Sequence, residues 1–233
     1  MKLTVFGATG RIGGHVVRQA LDAGYEVTAV VRDPAKFAVC HPALMVATVA
    51  DLTDTAKVQP TLDGSDAAIS GIGPRTRSDV TVASRTAHGI LRALEANGPR
   101  RFVAVTAAPV GPIPNGETWL YRRILLPMVT ALLRDVYTDL AVMEDEIERS
   151  ATDWTIVRPP RLVNKPLAAT YRTAIGGNVP RAGSISRADV AHAMLAVLDD
   201  PATIRQAVGL GGHLGPGHVC NNVDLGAVAT VRP

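Results

Sequence analysis

Three glycines spaced GxxGxxG, within Gly7-Ala8-Thr9-Gly10-Arg11-Ile12-Gly13, carry the densest chemical signal in the chain. They fall between an apolar run, Lys2–Phe6, and an amphipathic stretch, Arg11–Ala23. Glycine at a strand-to-helix turn lets backbone N–H groups close on a pyrophosphate, and the start of the helix adds partial positive charge. The first interval is one residue wider than in the GxGxxG dinucleotide fingerprint. About twenty residues further on, where the adenosine ribose of a dinucleotide should lie, the next apolar run ends in Val30-Val31-Arg32-Asp33. An acid at that tip would accept from a ribose 2′-hydroxyl, whereas Arg32 offers a planar, permanently charged fork to a 2′-phosphate. With Arg11 as a second cation in the turn, NADP(H) is the expected cofactor. An Arg32–Asp33 pair is the plainer reading, and the neighbouring acid leaves NAD as the alternative. Asp51 and Leu52, after the third strand, are read against the adenine, one at its edge and one on its face. Gly71 and Gly73, after the fourth, would let the chain pass close to the nicotinamide-side ribose. Each of these positions is equally readable as an ordinary turn.

The elements that must position these residues are read from period and punctuation. Strands are expected at Lys2–Phe6, Glu26–Val31, Leu44–Ala50, Asp66–Ile72, Arg101–Thr106 and Trp154–Val157, with a short last one at Gln206–Leu210. Helices are expected at Arg11–Ala23, Thr55–Leu62 and Asp79–Asn97, the last with Val82, Thr86, Ile90 and Leu94 on one face. Glu117–Ser150 is helical in composition but cut by Pro127, and Ser186 with Asp189 resembles a capping box opening a helix through Leu198. Apolar strands alternating with helices imply an α/β fold, a doubly wound parallel sheet covered on both faces, in a single domain over residues 1–210. Arg158–Pro166 is expected as a proline-rich loop. Residues 211–233 are taken as a tail with no regular structure assigned.

In 233 residues, 47% are hydrophobic, enough for a core, and only 4% are aromatic, so that core must be aliphatic. Lys and Arg number 24 against 21 acids, without a basic run, which argues against nucleic acid as the partner. No apolar run reaches the ~18–20 residues of a membrane span, and the N-terminus breaks into glycines too early for a signal-peptide core. A soluble, cytoplasmic protein is expected. Cys40 and Cys220 lack CxxC spacing and are read as free thiols.

GATGRIG, AGYEVTAVVRD, VADLTD, the Gly71/Gly73 strand end and VRPPRLVNKPLAATYRT together resemble an atypical short-chain dehydrogenase/reductase. Within that group the chain is similar to NAD(P)H-binding reductases related to biliverdin-IXβ reductase and flavin reductase, from Met1 to Leu210. The resemblance implies a Rossmann-like NADPH domain with cofactor contacts at Gly7, Thr9, Gly10, Arg11, Ile12, Arg32, Asp51 and Gly73. The strand-end readings add Leu52, Gly71, Thr106 and Pro159.

Most short-chain dehydrogenases reduce a carbonyl with a Tyr acid and a Lys four residues later. Here the residue four beyond Tyr25 is Ala29, beyond Tyr121 Leu125, beyond Tyr137 Ala141 and beyond Tyr171 Ile175. Hydride given to an isolated ketone makes an alkoxide that needs a tuned proton donor. Hydride given to a flavin, quinone or tetrapyrrole is delocalised, and water can finish the protonation. The expected activity is therefore an NADPH-dependent reductase acting directly on a flat conjugated acceptor. A flavin is the first choice, as substrate rather than bound cofactor. Thr106 and Arg161 are the candidate catalytic residues, both orienting the acceptor. A strand-end Thr bonding its own backbone and a loop-surface Arg are the plainer readings. The biliverdin-IXβ reductases place a His where this chain has Arg161, which disfavours biliverdin and suits a phosphate- or carboxylate-bearing ligand. Trp119, Tyr121 and Met128 lie in the segment that covers the substrate pocket in such folds, with core packing as the plainer role. His213, His218 and Cys220 lack a fourth ligand and are not read as a metal site. The rival reading is a non-catalytic NADP(H) sensor of the NmrA type. An epimerase acting on a nucleotide sugar is the third, and such enzymes normally keep the Tyr/Lys pair.

Overall fold

Strand β1 (Lys2–Phe6) is buried at four of its five positions because both of its faces are covered, and side chains alternate between them. Leu3 and Val5 enter one apolar cluster and Phe6 the other. The computed structural model describes residues 1–73, 80–212 and 228–231. After β1 come α1 (Gly13–Asp22), β2 (Glu26–Val31), β3 (Leu44–Thr48), the short α2 (Thr55–Val58) and β4 (Ala67–Ser70). Next are α3 (Val82–Asn97), β5 (Arg101–Val105), α4 (Leu126–Leu132), α5 (Arg134–Arg149) and β6 (Asp153–Arg158). The chain closes with β7 (Arg161–Val163), β8 (Tyr171–Ile175), β9 (Ser184–Ser186), α6 (Arg187–Ala196), β10 (Gln206–Gly212) and β11 (Val228–Val231).

Among the described residues the main sheet has nine strands, ordered β11-β8-β10-β6-β5-β4-β1-β2-β3, and β7 pairs with β9 in a separate two-stranded sheet. From β10 to β3 every pairing is parallel, and β8 and β11 add antiparallel strands at one edge. Helices α1 and α6 cover one face through Val16, Val17, Val190 and Met194. Helices α3 and α5 cover the other through Ile90, Leu94, Met143 and Ile147. Strand order reverses between β1 and β4, which opens a crevice at their carboxyl ends, the usual ligand position in such sheets.

The expected doubly wound sheet is present, with β8 and β9 as unexpected strands and four further departures from the sequence reading. The first helix starts at Gly13 rather than Arg11, because Gly7–Ile12 is spent on the turn. Pro127 does not break its helix: it occupies the first turn of α4, directly after a π-helical stretch, Tyr121–Leu125. The wider π turn directly ahead of it is the local irregularity in the hydrogen-bond ladder at which the missing Pro127 N–H falls. The break falls at Leu133, which leaves helical geometry at φ −118°, ψ 28°. The expected loop Arg158–Pro166 contains β7, stabilised by pairing with β9. The tail is not without structure either, since Val228–Val231 pairs antiparallel with β8, with Val228 opposite Ala174 and Val231 opposite Tyr171. Asp79, His213, His218 and Cys220 lie outside the described residues.

Candidate functional site

The glycine turn is built so tightly that side chains are excluded from it. Gly7 adopts φ +74°, a left-handed conformation that favours glycine. Its carbonyl accepts from the Gly10 N–H at 2.7 Å. A Cβ on Gly13 would lie 2.2 Å from that same oxygen, and one on Gly71 would meet the Gly13 nitrogen at 3.0 Å. Gly71 is therefore the residue that lets the end of β4 approach the turn. Around Gly73 no described residue lies within 4 Å of where a Cβ would stand. The N–H groups of Arg11 and Ile12 have no hydrogen-bond partner among the described residues, and no acid occupies the first turn of α1. Unpaired amides at a helix start that lacks its own carboxylate fit an anion. Thr9 is half-buried in the same turn.

At the tip of β2, Asp33 is bound by Lys36 at 3.1 Å and by the Ala35 N–H at 3.1 Å. Its carboxyl pKa is pushed down, first by the Lys36 hydrogen bond and then by the Ala35 amide. Arg32 is exposed and pairs with no described residue, so the Arg32–Asp33 pair does not form and the fork stays free. Asp51 is exposed too. Its Oδ1 accepts from the Thr53 N–H at 2.9 Å and the Thr53 hydroxyl at 2.8 Å, which lowers its pKa and closes a turn before α2. Leu52 is buried in the core under α3, where a Cβ on Gly89 would strike its carbonyl at 2.1 Å. It is a packing residue rather than an open surface for a base.

Beyond β5, Thr106 is buried, and its hydroxyl donates to Glu144 Oε1 on α5 at 2.6 Å. Glu144 is gripped from the other side by Arg158 at the end of β6, with Nε to Oε1 at 3.0 Å and Nη2 to Oε2 at 2.5 Å. Both charged side chains are almost fully enclosed. The Thr106 hydroxyl is thus bonded to a buried carboxylate on α5 rather than to its own backbone. Sequence reasoning missed this network. The signal was an acid set among Leu140, Met143 and Ile147 on the buried stripe of α5, a position that demands a cation. Pro159 is buried and its carbonyl accepts from the Ala108 N–H at 2.9 Å, fastening the two strand-end loops together. Arg161 opens β7, exposed and without a partner among the described residues.

Tyr137, on α5 two turns before Glu144, is half-buried against the apolar cluster that Ile72, Ala107 and Val110 also flank. Burial, and then the nearby Tyr121, push its phenol pKa up from the ordinary value. A catalytic Tyr needs the opposite shift, and Ala141 supplies no charge to produce it. Trp119 and Met128 are not core packing: both are well over half exposed, on a surface continued by Leu120, Ile124, Leu125 and Leu132. Beside it Leu120, Tyr121, Ile124 and Leu125 line a 540 Å³ cleft, with Arg181 and Glu117 at its rim.

A tight glycine turn with free amides, set at the switch point of a doubly wound sheet, defines a dinucleotide-binding domain. The NAD(P)H-binding family model matches residues 7–201, and the chain belongs to that family. The uncharacterized sugar epimerase YhfK of Bacillus subtilis is 30% identical over 217 residues, covering 90% of this chain and 94% of that protein. Among solved structures, a candidate NADH-flavin reductase from Streptococcus pneumoniae aligns with a TM-score of 0.73 at 23% identity, covering 91% of this chain and all of that one (100%). A wide-type short-chain dehydrogenase/reductase from Veillonella parvula, solved with NADP, aligns with a TM-score of 0.73 at 20% identity, covering 93% and 95%. At these identities the structures establish the fold alone, a Rossmann-like NAD(P)-binding fold. No helix among the described residues is long and apolar enough to cross a membrane.

Proposed function

We propose that the protein is an NADPH-dependent reductase acting on a flat conjugated acceptor, most readily a flavin used as substrate. The bound nicotinamide would supply hydride, and the chain's own residues bind, orient and shield. The Gly7–Gly13 turn with the Arg11 and Ile12 amides holds the pyrophosphate, and Arg32 takes the 2′-phosphate. Asp51 keeps Oδ2 for the adenine edge. The Thr106–Glu144–Arg158 network fixes the β5 and β6 ends that form the crevice floor, and Pro159 links their loops. Arg161 offers an unpaired guanidinium to a phosphate or carboxylate on the acceptor, as in FMN. Rate then comes from proximity and orientation.

The observation that carries this reading is the state of the hydroxyls at the chemical end. The Thr106 proton is bound to Glu144, and the Tyr137 phenol is made less acidic. An acceptor that tolerates charge unaided suits such a site. The same observation weighs against carrying over the epimerase name of the Bacillus relative. Purified protein should oxidise NADPH when FMN, riboflavin or a soluble quinone is added. NADPH oxidation no faster than the enzyme-free background with all three would overturn the proposal.

A second reading, an NADP(H)-responsive regulator, is favoured by the exposed apolar surface of Trp119, Leu120, Ile124, Leu125, Met128 and Leu132. It requires binding of NADP⁺ and NADPH without turnover, so the same assay separates the two.

A further inference from the structure

After β5 the chain crosses the surface as one helical run, the π-helical stretch Tyr121–Leu125 continued by α4. Leu126, Val129 and Leu133, spaced i, i+3 and i+7, are half-buried and form its inward side. The outward side is apolar as well. Ile124, Met128 and Leu132, four residues apart, are at least 50% exposed, and Trp119, Leu120 and Leu125 widen the stripe towards the start of the run. A helix on the surface normally turns polar side chains to water, so a continuous apolar stripe there calls for a partner.

The charges beside the stripe are of one sign. Residues 118–134 hold three arginines, Arg122, Arg123 and Arg134, and no acid. All three are exposed and have no ion-pair partner among the described residues. Arg181 adds a fourth cation at the rim of the adjoining cleft. The acids that bracket the segment are Glu117, which accepts from the Arg181 backbone N–H at 2.7 Å, and the exposed Asp135. The whole chain has a formal excess of only +3, so this one segment accounts for it.

We propose that this helical run docks on the surface of an anionic lipid bilayer. The apolar stripe enters the boundary between headgroups and acyl chains, and the arginines meet lipid phosphates along its edges. Trp119 suits that level, where an indole sits between apolar and wet surroundings. The sign of the charge selects the occupant. A second copy laid stripe to stripe would bring two sets of like-charged arginines into one contact. Nucleic acid binding rests on its phosphates and leaves an apolar stripe unused. The contact is peripheral, since no helix among the described residues is long and apolar enough to cross a membrane. It does not depend on which dinucleotide the glycine turn holds.

The chain carries its own reporter. Of its two tryptophans, Trp119 is 69% exposed and Trp154 only 8%, so a change of surroundings on docking is read from Trp119. The full chain should sediment with phosphatidylglycerol vesicles and its tryptophan emission should shift to the blue, whereas phosphatidylcholine vesicles should do neither. Trp119→Phe should keep most of the sedimentation and lose the shift. Replacing Arg122 and Arg123 together by Gln should lower partitioning by on the order of 20-fold, about fivefold for each charge near the lipid surface. Raised salt should weaken the wild type in the same direction. Met128→Asp combined with Leu132→Asp should abolish binding, and the arginine variant serves if that one does not fold. Wild-type chain left in the supernatant with phosphatidylglycerol vesicles would overturn the inference, whether the stripe then holds a protein partner or nothing. So would equal binding to both lipids that the arginine variant retains. A dimer in lipid-free solution that the Met128→Asp/Leu132→Asp variant breaks would overturn it too, by assigning the stripe to a second copy.

Discussion

On the proposed reading Arg32 selects between the two dinucleotides, because Asp33 does not compete for it. With Asp33 held by Lys36, the guanidinium at the end of β2 has no partner among the described residues. Arg32→Glu should lower the preference for NADPH over NADH by on the order of 10–100-fold, because an attraction to the 2′-phosphate becomes a repulsion. Kd values for both coenzymes measure it, and an unchanged ratio would remove Arg32 from the specificity role. Gly13 tests the turn itself. Gly13→Ala drives a methyl group to 2.2 Å from the Gly7 carbonyl, so the backbone must move and dinucleotide binding should fall by more than about tenfold. Tyr137 tests the chemistry. Its phenol is neutral at all pH values below its ordinary pKa, and burial extends that range upward. Tyr137→Phe should therefore leave kcat within about twofold, with no basic limb in the pH profile below about 10. A large drop in kcat with an altered profile would mean that this phenol donates a proton after all.

Helix α5 and the strands it faces are held together by one buried charge network, and that is an element-scale property. Glu144→Gln keeps an acceptor for the Thr106 hydroxyl but strands the Arg158 guanidinium without a counter-charge. Breaking one side of an enclosed pair costs about 3–5 kcal/mol, which in a chain of this size is a drop of roughly 10 °C or more in Tm. Thermal unfolding of Glu144→Gln against Thr106→Ala, which removes only the neutral member, distinguishes charge from packing. A Glu144→Gln destabilisation no larger than that of Thr106→Ala would remove the argument. Elements whose signal is local were legible in sequence. Strands Lys2–Phe6 and Glu26–Val31 have their expected bounds because both faces are buried and glycines or turn residues end them. Charge networks were not, because Glu144, Arg158 and Thr106 sit on three different elements, and nothing local says that they meet.

At the scale of the whole molecule, the parallel core was legible and its antiparallel edge was not, for the same physical reason. A βαβ unit announces itself by alternation along the chain. Strand β11 announces little: Val228, Thr230 and Val231 are β-formers, but they gain regular structure only from pairing with Tyr171–Ala174, far upstream. That pairing makes Val228–Val231 part of the main sheet, and it is testable by deletion. Ending the chain at Gly212 leaves β10 intact and strips β8 of its outer neighbour. A strand with unpaired N–H and C=O groups then becomes the sheet edge, and edges of that kind recruit other chains. The truncated protein should be destabilised by on the order of 1–2 kcal/mol, a few degrees in Tm. It should also aggregate faster at a given concentration, as light scattering during heating would show. Dinucleotide affinity should hardly change, since the glycine turn lies near the other end of the strand order. A truncated protein as stable and as soluble as the full chain would mean that β11 contributes nothing to the sheet. Loss of coenzyme binding without loss of stability would mean instead that the C-terminal segment reaches the site itself.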